Sequence, residues 1–124
     1  MIIGIGTDIV DISRVKEILE RQGEKFVNRI LSQPEQKELS GRITPSIVAK
    51  RFAAKEAVAK SLGTGISFGV SFQDITIIHD SKGAPSVTLC GGAAKVLDEK
   101  SGKNVLLSLS DEQYYAIAYA VLIG

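Results

Sequence analysis

Arg51-Phe-Ala-Ala-Lys-Glu56-Ala-Val-Ala-Lys60-Ser-Leu-Gly-Thr-Gly65-Ile66 sets an acid and a base four positions apart in a segment built to be a helix. At i and i+4, Glu56 and Lys60 lie on one helix face, about 6 Å apart at Cβ. Ala49, Phe52, Ala53 and Ala59 are the neighbours on that face. Small residues beside a carboxylate leave room where a stability-driven helix carries Leu or Ile, so the pattern reads as a site beside a gap. The plainer alternative is a surface ion pair worth about 0.2–0.5 kcal/mol. Thr44 is a natural N-cap for this helix and Pro45 its first residue. It runs through Leu62, about 18 residues or roughly 27 Å. Gly63-Thr64-Gly65 ends it, either as a simple C-cap or as a loop offering backbone N–H groups to a phosphate.

Upstream, Met1 to Thr7 reads as a strand, apolar, β-branched and punctuated by Gly4 and Gly6. Asp8 closes it. A carboxylate after Gly-Ile-Gly-Thr stands where small residues let a ligand or ion reach the backbone. It is equally placed to cap the next helix. Gly4 and Gly6 form a bare G-x-G without the third glycine of a dinucleotide fingerprint. Ile9, Val10, Ile12, Val15, Ile18 and Leu19 then recur at helical spacing up to Gly23. Lys25 to Leu31 predicts a second helix. Ser32, with Pro34 and Glu35 following, starts a third that ends near Leu39.

Downstream, Phe72–His79 and Ser86–Leu89 read as strands joined by the Lys82-Gly83-Ala84-Pro85 turn. Gly91-Gly92 leads into a helix. Val105–Leu109 and Tyr115–Ile123 close the chain as strands, with Ser110 to Gln113 linking them. Helices and strands in segregated runs indicate an α+β fold in one domain, residues 1–124.

Fifteen basic and fourteen acidic residues among 124 leave a net charge of +1. No global field favours nucleic acid, and aromatic-basic interleaving is missing. No run approaches the roughly 20 apolar residues of a membrane span, and the N-terminus lacks a signal peptide's basic region. A cytoplasmic protein is expected. The one cysteine, Cys90, excludes an intrachain disulfide, and its strand-like setting predicts a small buried hydrophobe. His79 has no second His or Cys to make a zinc site and reads as structural or surface. Neither Ser108 nor Ser110 has a histidine that argues for a triad. Arg14 and Arg21, seven apart, share a helix face; it is either a solvated mixed-charge surface or a seat for an acidic helical partner. If Asp8 and Glu56 converge, two hard carboxylates suit magnesium completed by substrate phosphates, with Lys60 neutralising phosphate charge.

Gly4-Ile-Gly-Thr-Asp8-Ile-Val-Asp-Ile, the Arg51–Ile66 segment, Phe72-Gln-Asp-Ile and Gly83-Ala-Pro85 together resemble the holo-acyl-carrier-protein synthases. These are the small, single-domain 4′-phosphopantetheinyl transferases, and the match is collinear over essentially the whole chain. The resemblance implies an antiparallel sheet with a long packed helix. It implies transfer of phosphopantetheine from coenzyme A to a serine of apo acyl carrier protein, releasing adenosine 3′,5′-bisphosphate, within fatty acid biosynthesis. Asp8 and Glu56 match the magnesium ligands, and Lys60 the lysine that contacts phosphate; these three are the expected catalytic residues, with Glu56 as proton acceptor. Arg51, Lys60, Gly63, Thr64, Gly65, Ile66, Gly83 and Pro85 fall at expected coenzyme A positions. Arg14, and with it Arg21, matches the face that meets the acidic carrier helix. A homotrimer is implied, with active sites between subunits and with Asp8 and Glu56 on neighbouring chains or on two sides of one cleft. Many relatives carry Ser-His-Thr where this chain has Ser110-Asp111-Glu112. An imidazole role does not carry over, and Asp111 is left to take a hydrogen-bonding part.

Overall fold

The opening strand is longer than its apolar pattern implies. In the computed structural model, which describes residues 1–124, β1 runs Ile2–Asp11. It pairs antiparallel with β5 (Tyr115–Ile123), which pairs antiparallel with β4 (Asn104–Asp111), giving the order β1-β5-β4. Asp8 therefore lies within a strand, opposite Ala118, and caps no helix. Ile9 and Val10 are strand residues too; a short β-branched run fits either period until pairing decides. The helix cap is Asp11, whose Oδ1 accepts from Ser13 N at 2.9 Å and from Ser13 Oγ at 2.7 Å. Those two hydrogen bonds, the side-chain one first, hold the Asp11 carboxyl below its ordinary range.

Helix α1 follows as Ile12–Gln22 and stops at Gly23, whose φ of +56° suits glycine. Short helices α2 (Glu24–Ile30) and α3 (Gln33–Leu39) come next, α3 opening on the Ser32–Glu35 capping box. Helix α4 runs Pro45–Ser61, with Thr44 Oγ1 accepting from Ile47 N at 3.2 Å. Phe72–Asp74 is a 3₁₀ turn rather than strand, because Ser71 and Asp74 close a capping box around it. Strands β2 (Ile75–His79) and β3 (Pro85–Leu89) form a separate antiparallel hairpin, and α5 (Gly91–Glu99) follows. Ser110 and Asp111 extend β4 instead of belonging to the link. Cys90 is exposed, contrary to expectation: Val87 and Leu89 turn inward on β3, and period-2 alternation puts Cys90 outside.

The alanines beside Glu56 open no gap. Ala49, Ala53, Ala57 and Ala59 are fully buried, as are Ala116, Ala118 and Ala120 of β5. They let α4 lie unusually close to the inner face of the sheet. A Cβ on Gly4 would stand 2.1 Å from Ser61 O, and one on Gly6 2.0 Å from Ala57 O. The two strand glycines thus admit the helix backbone, not a ligand. This contact anchors one core cluster, from α4 to both sheets, while a second joins α1, α2 and α3 to the first half of α4. The outer face of the three-stranded sheet is left apolar and open, with Ile5, Ile9, Leu106, Ile117 and Tyr119 all exposed. No helix is long and apolar enough to cross a membrane.

Candidate active site

Close packing of α4 on β1 brings Lys60 to Asp8. Gly4, Gly6, Asp8 and Val10 share one strand face, and that face meets the helix. Lys60 Nζ donates to Asp8 Oδ1 at 3.1 Å and to Thr7 O at 2.9 Å, spanning 52 and 53 positions of sequence. Glu56, one turn earlier on α4, lines the same cleft as Asp8. The cleft holds about 320 Å³. Ile9, Val10, Val15, Ile18, Phe26 and Phe52 form its apolar wall, and Asp11 and Arg14 reach its rim. Phe52, not an alanine, borders the open space.

Burial pushes the Glu56 carboxyl above its ordinary range; the negative charge of Asp8 adds to the push, and Lys60 partly offsets it. A carboxyl raised this way holds its proton closer to neutral pH, as a base that must also give a proton back requires. No third His, Cys, Asp or Glu joins the pair to complete a cation's coordination shell. Two carboxylates facing open space fit a hard ion that takes its other oxygens from substrate and water. Calcium-like all-protein caging does not fit this set.

The remaining expected residues divide. Arg14 stands at the cleft, whereas Arg21 is exposed further along α1. The amides of Gly63, Thr64 and Gly65 donate to Lys60 O and Ala59 O, so this turn caps α4 and none of the three is turned toward a phosphate. Ile66 packs between the two core clusters. Gly83, with φ +85°, and Pro85 lie at the tip of the β2–β3 hairpin, where Asp80 Oδ1 accepts from Lys82 N and Ala84 N. Neither lines the Asp8–Glu56 cleft. Asp111 has polar contacts to α4: Lys50 Nζ is 3.6 Å from Oδ1, and Ser46 Oγ donates to Oδ2 at 3.5 Å.

Arg51 is not at the cleft either. It sits about 140° round α4 from Glu56, 3% exposed, between Glu35 at 3.2 Å and Glu38 at 3.1 Å. Its Nη2 also lies 3.2 Å from His79 Nδ1. Burial, and then the Arg51 charge, lower the His79 pKa, consistent with the structural reading of that histidine. Lys55, the lysine of the quoted stretch that sequence reasoning assigned no role, is fully buried against the equally buried Glu35. Burial pushes its ammonium pKa down and the Glu35 charge pushes it back. The available signal was a lysine among alanines on a helix too rich in alanine to be exposed all round.

The family model of the 4′-phosphopantetheinyl transferase superfamily matches residues 4–120. The holo-[acyl-carrier-protein] synthase of Vibrio cholerae is 48% identical over 123 residues, covering 98% of each chain. Among solved structures, the Neisseria meningitidis holo-[acyl-carrier-protein] synthase superposes with a TM-score of 0.90 at 44% identity over 100% of both chains. The Helicobacter pylori enzyme of the same name, solved with coenzyme A, superposes with a TM-score of 0.84 at 36% identity over 95% of this chain and 98% of that one.

Proposed function

The chain belongs to the 4′-phosphopantetheinyl transferase superfamily, and from that premise we propose that it moves phosphopantetheine from coenzyme A to a serine of apo acyl carrier protein. The observation that carries this reading is the convergence of Asp8, Glu56 and Lys60 at one cleft of one chain. Residues 1–124 act as one transferase domain.

In the reaction, the carrier serine Oγ attacks the β-phosphorus of coenzyme A. The bond from that phosphorus to the bridging oxygen breaks, and adenosine 3′,5′-bisphosphate leaves. Glu56 is the acceptor of the serine proton. Lys60, which in this chain already neutralises Asp8, turns its ammonium to the negative charge gathering on the leaving phosphate. Asp8 and Glu56 would hold magnesium, which supplies charge neutralisation across the pyrophosphate oxygens when bound. The apolar wall of the cleft excludes water that would compete with the serine.

Arg14 at the rim and Arg21 along α1 face the acidic carrier. Gly63 to Ile66 and the Gly83–Pro85 tip are read as coenzyme A contacts made through backbone and shape, since the turn amides are already bonded. The hairpin tip is absent from the cleft of its own chain. Together with the open apolar sheet face, that supports a homotrimer with sites completed between subunits. A cytoplasmic place in fatty acid synthesis suits the exposed, unpaired Cys90, which a reducing compartment tolerates.

The test is intact mass of an apo carrier incubated with coenzyme A and magnesium. One added phosphopantetheine per carrier is expected, and chelating the metal stops it. No gain, with a related synthase active in parallel, would falsify the reading.

A further inference from the structure

Lys55 is the residue of the helix motif that the reaction leaves unused. Its Nζ donates to three acceptors from three different elements: Ile30 O at the end of α2, Glu35 Oε1 on α3, and Phe72 O in the 3₁₀ turn. Glu35 is itself fully engaged. Its Oε1 accepts from Ser32 N and Ser32 Oγ, and its Oε2 from Arg51 Nη1 and Ile77 N. No buried side-chain nitrogen or oxygen of the molecule lacks a partner. A buried lysine–glutamate pair is a poor way to gain stability, because desolvating both charges cancels most of the attraction and apolar residues of similar volume do as well. What such a pair supplies is direction.

We propose that Lys55 and Glu35 are positioning residues, whose buried pair sets the rotation of α4 that aims Glu56 at Asp8. The inference rests on the transferase reading of that cleft. Lys55 precedes Glu56 on the helix, so a tie on one fixes the azimuth of the other about 100° away. Three acceptors on separate elements resist rotation in either sense, which a single contact cannot. A carboxylate stands roughly 5–6 Å from the helix axis. A turn of about 10° therefore shifts it by about 1 Å, and a misplacement of ~1 Å costs about 10²-fold in rate. Glu35 extends the tie to β2 through Ile77 N, and the neighbouring Arg51–Glu38 pair repeats it at His79. One polar cluster thus sets α4, with Glu56 and Lys60, against the strand whose hairpin carries Gly83 and Pro85.

Lys55→Met and the double variant Lys55→Met/Glu35→Gln separate positioning from folding. Melting temperature, kcat, KM for coenzyme A and calorimetric coenzyme A affinity are measured beside the wild type. Lys55→Met leaves Ile30 O and Phe72 O without their donor and Glu35 with Arg51 as its one cationic partner, and lowers the melting temperature. The double variant removes both charges of the pair and leaves Arg51 on Glu38, so its melting temperature reads the structural cost separately from kcat. If the pair positions α4, kcat stays down about tenfold to a hundredfold in the double variant, while KM and affinity for coenzyme A hold within about threefold. A double variant with wild-type kcat overturns the inference alone. A wild type that transfers nothing overturns the transferase reading, and the inference with it. Should Lys55→Met not fold, the double variant carries the test.

Discussion

Lys60 Nζ reaches Asp8 Oδ1 at 3.1 Å because Gly6, two residues before Asp8, lets the α4 backbone come within contact of β1. The pair is half open to solvent, with the Lys60 side chain 48% exposed. A screened pair of this kind adds little stability. Its value lies in holding a cation beside the phosphate path. Lys60→Met is therefore expected to lower kcat by about 10²–10³, the usual cost of one lost donor at a charge that develops in the transition state. Its melting temperature should stay close to wild type. Steady-state kinetics check the split: kcat falls further than KM for coenzyme A rises.

Glu56 predicts a gain in stability when activity is removed. Its carboxyl is raised in the folded chain by burial and by Asp8, so the native state binds that proton more tightly than the unfolded state. The contribution is complete below the ordinary value of 4.5 and is lost as pH rises through the raised one. At neutral pH the ionised group is a cost. Glu56→Gln, measured free of metal, should melt above wild type at pH 7. The advantage shrinks as pH falls and vanishes below about 4.5, where both proteins are neutral at this position. Melting curves across pH 4 to 8 decide it, and turnover by the variant should be absent.

Gly6→Ala tests whether close approach builds the site. The added Cβ would meet Ala57 O at 2.0 Å and Lys60 Cβ at 2.9 Å, and backbone cannot yield as a side chain can. Overpacking of this kind costs about 1–3 kcal/mol. It also levers α4 away from Asp8, so magnesium-dependent turnover should fall more than the fraction folded. Gly41→Ala is the control. Its φ of +83° makes it strained, but nothing lies within 4 Å of the new Cβ. It should cost about 1 kcal/mol and leave the Asp8–Lys60 pair intact.

The contrast explains which parts of this fold were legible beforehand. Thr44-Pro45, Ser32 with Glu35, and Gly23 carry local hydrogen-bond chemistry, and each element boundary fell where that chemistry put it. Ile9 and Val10 did not declare themselves, since only pairing with Ile117 and Ala116 makes them strand. The convergence of Asp8 with Glu56 was readable as a possibility from residue types; the ion pair of Asp8 with Lys60 was not. The role of the alanines was not: small residues beside a carboxylate mean a gap or a close neighbour, and the neighbour is a strand some 50 positions away. Lys55 escaped for the same reason, its partners lying 17 to 25 positions off on other elements.

Arg14→Glu separates carrier docking from chemistry. Arg14 shares the cleft rim with Asp8 and Glu56, yet it bonds neither. Reversing its charge should repel an acidic carrier and raise the KM for carrier about tenfold or more, a loss of about 1.4 kcal/mol per decade. Coenzyme A affinity by calorimetry should be unchanged. High salt should narrow the gap between variant and wild type, because the interaction is solvent-exposed. Equal losses for carrier and coenzyme A would remove Arg14 from the docking face.

Ile117→Lys asks whether the open sheet face is an interface. Ile117 sits on the central strand, between Ile9 of β1 and Ser110 of β4, with Thr7, Tyr119 and Ser108 in the adjoining row. Ile5, Ile9, Leu106, Ile117 and Tyr119 are all exposed on this face, the kind of apolar surface an interface between copies would cover. A lysine in its middle is harmless to a monomer, since the residue faces away from both core clusters. In an assembled protein it buries an unpaired charge, costing several kcal/mol at each interface. Light scattering should show wild type as a trimer and the variant as a smaller species with near-native circular dichroism. If sites are completed between subunits, transfer activity falls with the assembly and returns at protein concentrations that restore it. A variant that is monomeric and fully active would place the whole site in one chain.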